Sequence, residues 1–250
     1  MRVLLIGGAG RVGRLMLPKL AEQHQVRVFD LQPVAAGGDS WEHIVGDATD
    51  PEALAGAVNG VDAVVHCAMP SARGWETPAG AAACFDVQVT SVYLTLMQAH
   101  RAGVPHAVYI SSMSVYRDLL ARRSVTEDAP PDETEVYGLT KRLGERVCQA
   151  AAIEHGMSVN VLRLALPTPD EMWPAWQSPV SDAPELKRTD DGVLVPGLAA
   201  SDLARAVLAA LDHRDGFDVF GISGDHERHV TDIGKAHAVL GWSPTFRHPA

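Results

Sequence analysis

Val3-Leu4-Leu5-Ile6-Gly7-Gly8-Ala9-Gly10-Arg11-Val12-Gly13 is the stretch on which the reading of this chain turns. Four apolar residues in succession suit a strand covered on both faces. They run straight into glycines that satisfy G-x-x-G-x-x-G and, from Gly8, G-x-G-x-x-G, and a helical pattern opens at Arg11. A tight turn and close backbone approach to a pyrophosphate need residues without Cβ, and the N–H groups at the start of the following helix receive the phosphates. Asp30 ends the second strand at the spacing of a carboxylate that binds the ribose hydroxyls and repels a 2′-phosphate. Gly7, Gly10, Arg11, Val12, Gly13 and Asp30 are therefore candidate cofactor ligands, for NAD in preference to NADP, although Arg11 and Arg14 could screen a phosphate.

Working outward, short β-branched runs alternate with longer helical patterns. Strands are expected at Val3–Ile6, Val26–Phe29, His43–Val45, Ala63–His66, Ala107–Ser111 and Val159–Leu162, with helices at Arg11–Glu22, Pro51–Val58, Ala82–Arg101 and Glu135–His155. This alternation predicts an α/β fold, a Rossmann-type doubly wound parallel sheet built from right-handed crossovers. The character changes after Leu164: residues 165–200 are proline-rich and carry Trp173 and Trp176. A helix at Ser201–Leu211, a strand at Val219–Ile222 and a last helix at Asp232–Leu240 follow. The expected division is an NAD-binding domain over 1–164 and a small substrate-binding region over 165–250, interleaved with the last sheet elements.

The chain has 250 residues, 46% of them hydrophobic and 21% charged, with a formal charge of −10. That excludes disorder as a whole-chain description and disfavours nucleic acid or an anionic membrane as partner. The densest basic spot, Arg122-Arg123, reads as a solvated loop. Met1–Ile6 is too short an apolar start for a signal peptide, and no continuous apolar run approaches a membrane span. Cys67, Cys84 and Cys148 are odd in number and widely spaced, as expected of structural thiols in the cytoplasm. His226-Glu227-Arg228-His229 lacks metal-ligand spacing and reads as a loop, and no metal is expected.

A second constellation carries chemistry. Ser111-Ser112 ends the fifth strand, and Tyr137-Gly138-Leu139-Thr140-Lys141 opens a long helix. Residues four apart on a helix share a face, so Tyr137 and Lys141 point into one cleft. A tyrosine hydroxyl is a poor base at neutral pH unless nearby positive charge stabilises its phenolate. Tyr137 can thus take the proton with Lys141 tuning it, while a strand-end serine holds the substrate oxygen and hydride passes to the nicotinamide ring.

These residues together resemble the extended short-chain dehydrogenase/reductase superfamily, in its NAD-dependent epimerase/dehydratase branch. The resemblance rests on Gly7, Gly10, Gly13, Asp30, Gly46–Asp50, His66-Cys67-Ala68, Ser111–Tyr116, Tyr137–Lys141, Leu162-Arg163-Leu164, Ser201–Ala204 and Leu240–Pro244. It implies that Ser112, Tyr137 and Lys141 are the catalytic residues, with Ser112 orienting the substrate oxygen, Tyr137 the base and Lys141 its partner and a ribose ligand; that Asp47 bonds the adenine amino group; and that Ala48, Cys67 and Ala68 pack against the cofactor. It also implies a homodimer formed through the Ala82–Arg101 and Tyr137 helices, whose apolar residues exceed one stripe on the first of these.

Departures from the family pattern narrow the function. Gln88 stands where the family usually has asparagine, Arg117 replaces the glycine after Tyr116 and would line the substrate cleft, and Met113-Ser114 replaces the Asp-Glu of dehydratases. The substrate region is short, with Lys187 and Arg188 as its obvious phosphate partners. A compact substrate is expected: a sugar, a sugar acid or a similar small hydroxy compound, as in compact uronate dehydrogenases. The expected activity is hydride transfer between NAD and a hydroxyl or carbonyl carbon. The alternatives are a nucleotide-sugar epimerase that recycles its NAD internally, and a non-catalytic dinucleotide-binding regulator. Trp173 and Trp176 either stack on a sugar face or close a small satellite core.

Overall fold

The computed structural model describes residues 1–34, 41–181 and 183–247. The first half runs β1 (Arg2–Ile6), α1 (Arg11–Ala21), β2 (Gln25–Asp30), β3 (Trp41–Val45), α2 (Pro51–Ala57), β4 (Ala63–His66), α3 (Pro78–Phe85), α4 (Ser91–Arg101) and β5 (His106–Ser112). The second half runs α5 (Val136–His155), β6 (Ser158–Leu164), β7 (Pro167–Thr168), β8 (Lys187–Arg188), β9 (Leu194–Val195), β10 (Leu198–Ala199), α6 (Ala200–Asp212), β11 (Phe217–Ile222) and α7 (Gly234–Leu240). Seven strands make one sheet in the order β11-β6-β5-β4-β1-β2-β3. Every pairing in it is parallel, with Val3 opposite Val26 on one side and Ala63 on the other.

The chain winds outward from β1 to β3, then returns to the far side of β1 to lay down β4 and the strands beyond it. A crevice opens between the carboxyl ends of β1 and β4, where the winding reverses. Two apolar layers hold the sheet between helices. On one face Val3, Leu5, Val28 and Val65 pack with Leu17 of α1 and Leu203 and Val207 of α6. On the other, Leu4, Ile6 and Val64 pack with Leu54, Val92, Leu96 and Cys148.

One helix starts earlier than periodicity suggests. Instead of opening at Ala82, it begins at Pro78, because Thr77 caps it by accepting the Gly80 N–H at 3.1 Å and Pro78 occupies the first turn. Residues Asp86–Thr90 then form one π turn before α4 continues to Arg101. This 24-residue span is long and apolar enough to cross a bilayer by length and composition. It is packed instead against α2, α5 and the sheet.

β11 extends the sheet beside β6, and α6 packs on α1. The C-terminal motifs are clipped together by Asp202, fully buried, which accepts bonds from the Thr245 N–H and hydroxyl and from Arg205. Trp242 Nε1 donates to the Asp202 carbonyl at 3.0 Å. Residues 165–199 form two small ribbons, β7 with β10 and β8 with β9, above the carboxyl edge.

Candidate active site

A cavity of about 690 Å³ occupies the crevice. The loop after β1 forms its floor at one end. Gly7 sits at φ +84°, and a Cβ there would come within 2.5 Å of the Ala68 Cα; one on Gly13 would meet the Gly7 carbonyl at 2.4 Å. Only glycine permits this approach of loop to helix. The N-terminus of α1 has no side-chain cap, so its first N–H groups remain available to an anion. Asp30 is oriented by two backbone donors, the Ala9 N–H to Oδ2 at 2.9 Å and the Gln32 N–H to Oδ1 at 3.0 Å. Arg14 Nε donates to the Ala9 carbonyl at 2.6 Å, bracing the loop. A bare helix start, glycines where a Cβ would collide and an anchored carboxylate fit a dinucleotide.

Gly7, Gly10, Arg11, Val12, Asp30, Asp47, Ala48, Cys67 and Ala68 all line this cavity. Gly13 lies just behind the loop. Asp47, at the rim, accepts from both the N–H and the hydroxyl of Thr49 at 2.8 Å. The Cys67 thiol donates to the Ile6 carbonyl at 3.1 Å, and burial pushes it up to about 12, so it is a packing group.

Ser112, Tyr137 and Lys141 meet on the opposite wall. Side chains alternate along β5, and the two serines part company accordingly. Ser111 donates to Glu145 Oε1 at 2.6 Å, whereas the Ser112 hydroxyl accepts the Ser114 N–H at 3.0 Å and engages Tyr137. Burial pushes the Tyr137 hydroxyl above its ordinary range, and the Ser112 bond pulls against that shift. The Lys141 Nζ donates to the Ile110 carbonyl at 2.8 Å, and burial lowers it to about 8.

Beneath them lies a buried pair. Glu145 accepts from Arg163 Nη2 at 2.7 Å and from Nε at 2.9 Å. Arg163 in turn donates to the Tyr116 hydroxyl, which donates to the Thr126 and Ala129 carbonyls. Leu162-Arg163-Leu164 thus has a structural purpose: it ties β6 to α5 and to the loop after Ser112.

The expectation for Arg117 changes. Arg117 does not line the cleft; its guanidinium donates to Thr134 Oγ1, and its N–H donates to Asp132 Oδ1 at 3.0 Å. Gln88 sits inside the π turn, fully buried and behind the cavity wall, with Val87 facing the cavity instead. The tryptophans divide. Trp173 closes a satellite core, donating to the Gly197 carbonyl at 2.9 Å and meeting Phe246 edge-on. Trp176 lines the cavity between two cations, Arg11 at 5.8 Å and Lys187 at 5.4 Å from the ring centre.

Sequence reasoning missed Trp75. Its ring lies parallel to that of Tyr137, 4.8 Å away and tilted by 6°. No periodic signal marks it; a tryptophan beside Gly74 in a loop after β4 was the available hint.

The family model described as "NAD dependent epimerase/dehydratase family" matches residues 3–222. The chain is 28% identical over 260 residues to L-arabinose 1-dehydrogenase (NAD(P)(+)) of Haloferax volcanii, covering 97% of this chain and 96% of that protein. It is 29% identical over 172 residues to uronate dehydrogenase of Pseudomonas syringae pv. tomato, covering 68% of this chain. It spans 60% of the length of that enzyme and 39% of an uncharacterised Sinorhizobium fredii protein that it also matches at 29% identity. Its fold is that of a short-chain dehydrogenase/reductase superfamily protein from Agrobacterium tumefaciens solved with bound NAD. The TM-score is 0.81 at 24% identity, covering 99% of this chain and 93% of that one.

Proposed function

The chain belongs to the NAD dependent epimerase/dehydratase family, and from that premise we propose that it is a dehydrogenase of a compact carbohydrate-like substrate. When bound, NAD supplies the hydride acceptor. The glycine loop and the α1 N-terminus hold its diphosphate, Asp30 its adenosine ribose and Asp47 its adenine. Ser112 orients the substrate oxygen, and Tyr137 takes the hydroxyl proton. The Lys141 ammonium, fixed by the Ile110 carbonyl, supplies the positive charge that a phenolate needs in a site where burial alone works against it. Residues 165–250 contribute the cover on the substrate side.

One observation carries this reading: Ser112, Tyr137 and Lys141 line the same cavity as the glycine loop. Replacing Tyr137 with Phe is expected to lower kcat by about 10²–10⁴-fold while NAD affinity stays within about twofold. Unchanged turnover would remove Tyr137 from its role. A second reading, an epimerase that keeps its NAD, draws on Trp176, which leans on Arg11 across the diphosphate end. Mass spectrometry of the molecule released on denaturation separates the two: retained NAD favours the epimerase, an empty site the dehydrogenase.

We also place the protein in the cytoplasm, on three buried unpaired cysteines. A homodimer through α3–α4 and α5 is supported by Phe85 and Tyr93, exposed on the first of these helices.

A further inference from the structure

The cavity is divided by charge. Arg11 and Arg14 stand on the first turn of α1, and Asp30 and Asp47 at the ends of β2 and β3. Against Tyr137 stand Trp75 and the Ser112 hydroxyl, and the cavity is further lined by Met113, Leu119, Leu166 and Ser114. The cation at this end, Lys141, is 3% exposed and donates to the Ile110 carbonyl. Four arginines of the neighbouring loops are committed elsewhere: Arg117 to Thr134, Arg122 to Asp132, Arg142 to the Glu133 carbonyl and Arg163 to Glu145; Arg73, on the Trp75 loop, is exposed and does not line the cavity. Among the described residues lining this end, Lys141 is therefore the one cation, and a carbonyl already engages it.

Trp75 is built in. Thr77 Oγ1 donates to the Gly74 carbonyl at 2.7 Å, and Gly74 lies so close to Gly80 that a Cβ on Gly80 would meet its carbonyl at 1.9 Å. The loop is therefore docked on the start of α3, which holds the indole flat against the Tyr137 ring. Its Nε1 is buried without a hydrogen-bond partner. An aromatic plane with one unused donor suits a ring that offers C–H groups to its face and a neutral oxygen to its edge. A carboxylate or phosphate placed here would lose its water and find only the Lys141 ammonium, which is buried, bound to the Ile110 carbonyl and needed by the Tyr137 phenolate.

Resting on the dehydrogenase reading, we propose that the reacting end is specific for uncharged substrates. Its ligand is a neutral sugar or similar secondary alcohol lying against Trp75, not a sugar acid or a sugar phosphate. Trp75 is the specificity-determining residue, and nothing in the chemistry of hydride transfer requires it.

The test is a matched pair, D-galactose and D-galacturonate, which differ in the charge at C6. Each is titrated calorimetrically into the NAD-loaded protein, and NADH formation is followed separately. D-Galactose is expected to bind at least about tenfold more tightly than D-galacturonate, and Trp75→Ala to weaken it by about tenfold, with Trp75→Phe in between and NAD affinity unchanged in both variants. The unchanged NAD affinity reports that the variants are folded. Equal or tighter binding of D-galacturonate overturns the proposal. So does unaltered D-galactose binding in Trp75→Ala, or failure of both sugars to bind. A D-galactose complex that depends on Trp75 but forms no NADH supports the inference about charge while counting against the dehydrogenase reading.

Discussion

At its glycine-loop end, the proposed diphosphate end, the cavity is walled by backbone: Gly7 and Gly13 in contact distance of carbonyls and Cα atoms, N–H groups at the start of α1, and Asp30 held by two more N–H groups. At its reacting end the wall is side chains, and those side chains stand on a buried ionic pillar, Glu145 with Arg163, Ser111 and Tyr116. The first construction tolerates no added atoms but contains no buried charge pair to break. The second tolerates changes of shape at its surface but depends on complete pairing underneath. The two ends should therefore fail differently, and the following outcomes test that contrast in falling order of size.

Removing one partner of the pillar has the largest expected effect. Glu145→Ala leaves the Arg163 guanidinium 5% exposed and unpaired, and should destabilise the fold by about 3–5 kcal/mol in urea unfolding. The fraction still folded should bind NAD with nearly normal affinity. A large loss of NAD affinity in that fraction would show that the two ends are not independent.

The reacting end should also set the alkaline side of the stability curve. Burial lowers Lys141 to about 8 from an ordinary value of 10.5. Below pH 8 both folded and unfolded states carry the charge, and the full cost of burying it falls on the folded state. Between 8 and 10.5 the unfolded chain binds the proton while the folded one has released it, so stability rises with pH, by at most about 3 kcal/mol. Cofactor-free protein should show this rise, and Lys141→Met should flatten it; an identical slope in the variant would assign the rise elsewhere. His66 acts on the acid side. Burial pushes it down to about 3, so stability present above the ordinary value of 6.5 is lost as pH falls below it.

Gly13→Ala tests the backbone end. The added methyl carbon collides with the Gly7 carbonyl and the Gly8 Cα. Displacing that loop should cost about 1–3 kcal/mol, read as a roughly ten- to hundredfold rise in the Kd for NAD. Binding of unaltered strength would mean that the loop has slack the contact distances deny. The smallest effect is expected at Trp176→Ala, which removes a ring lying between Arg11 and Lys187. A cation–π contact at a partly exposed site contributes about 0.5–1 kcal/mol, so NAD should bind roughly two- to fivefold more weakly. A much larger loss would make Trp176 a principal part of the diphosphate site.

The two ends also differed in how openly the sequence announced them. Gly7 to Gly13 and Asp30 were legible because a strand, a turn without Cβ and a helix start must follow one another locally, and local geometry leaves a pattern in consecutive residues. Tyr137 and Lys141 were legible for the same reason, one helical turn apart. The early start of the long helix was hidden because Gly80 and the alanines around it have no amphipathic rhythm, while its true signal was the cap at Thr77 and Pro78. Arg117 was placed in the cleft by its neighbour in sequence, yet Asp132 and Thr134 draw it outward from a later loop.

The sequence by itself determined the doubly wound parallel sheet, the family, the glycine loop after β1 and the helical spacing that puts Tyr137 and Lys141 on one cavity wall. Each of these is encoded by spacing within one strand, turn or helix. Only the tertiary structure decided that Arg163 is spent on Glu145, that Trp176 meets Arg11 and Lys187 in the cavity while Trp173 closes a satellite core, and that Trp75 lies flat on Tyr137. Those are contacts between residues distant in the chain, each made by whichever loop the folded sheet brings within reach, and no periodicity along the sequence records such a meeting.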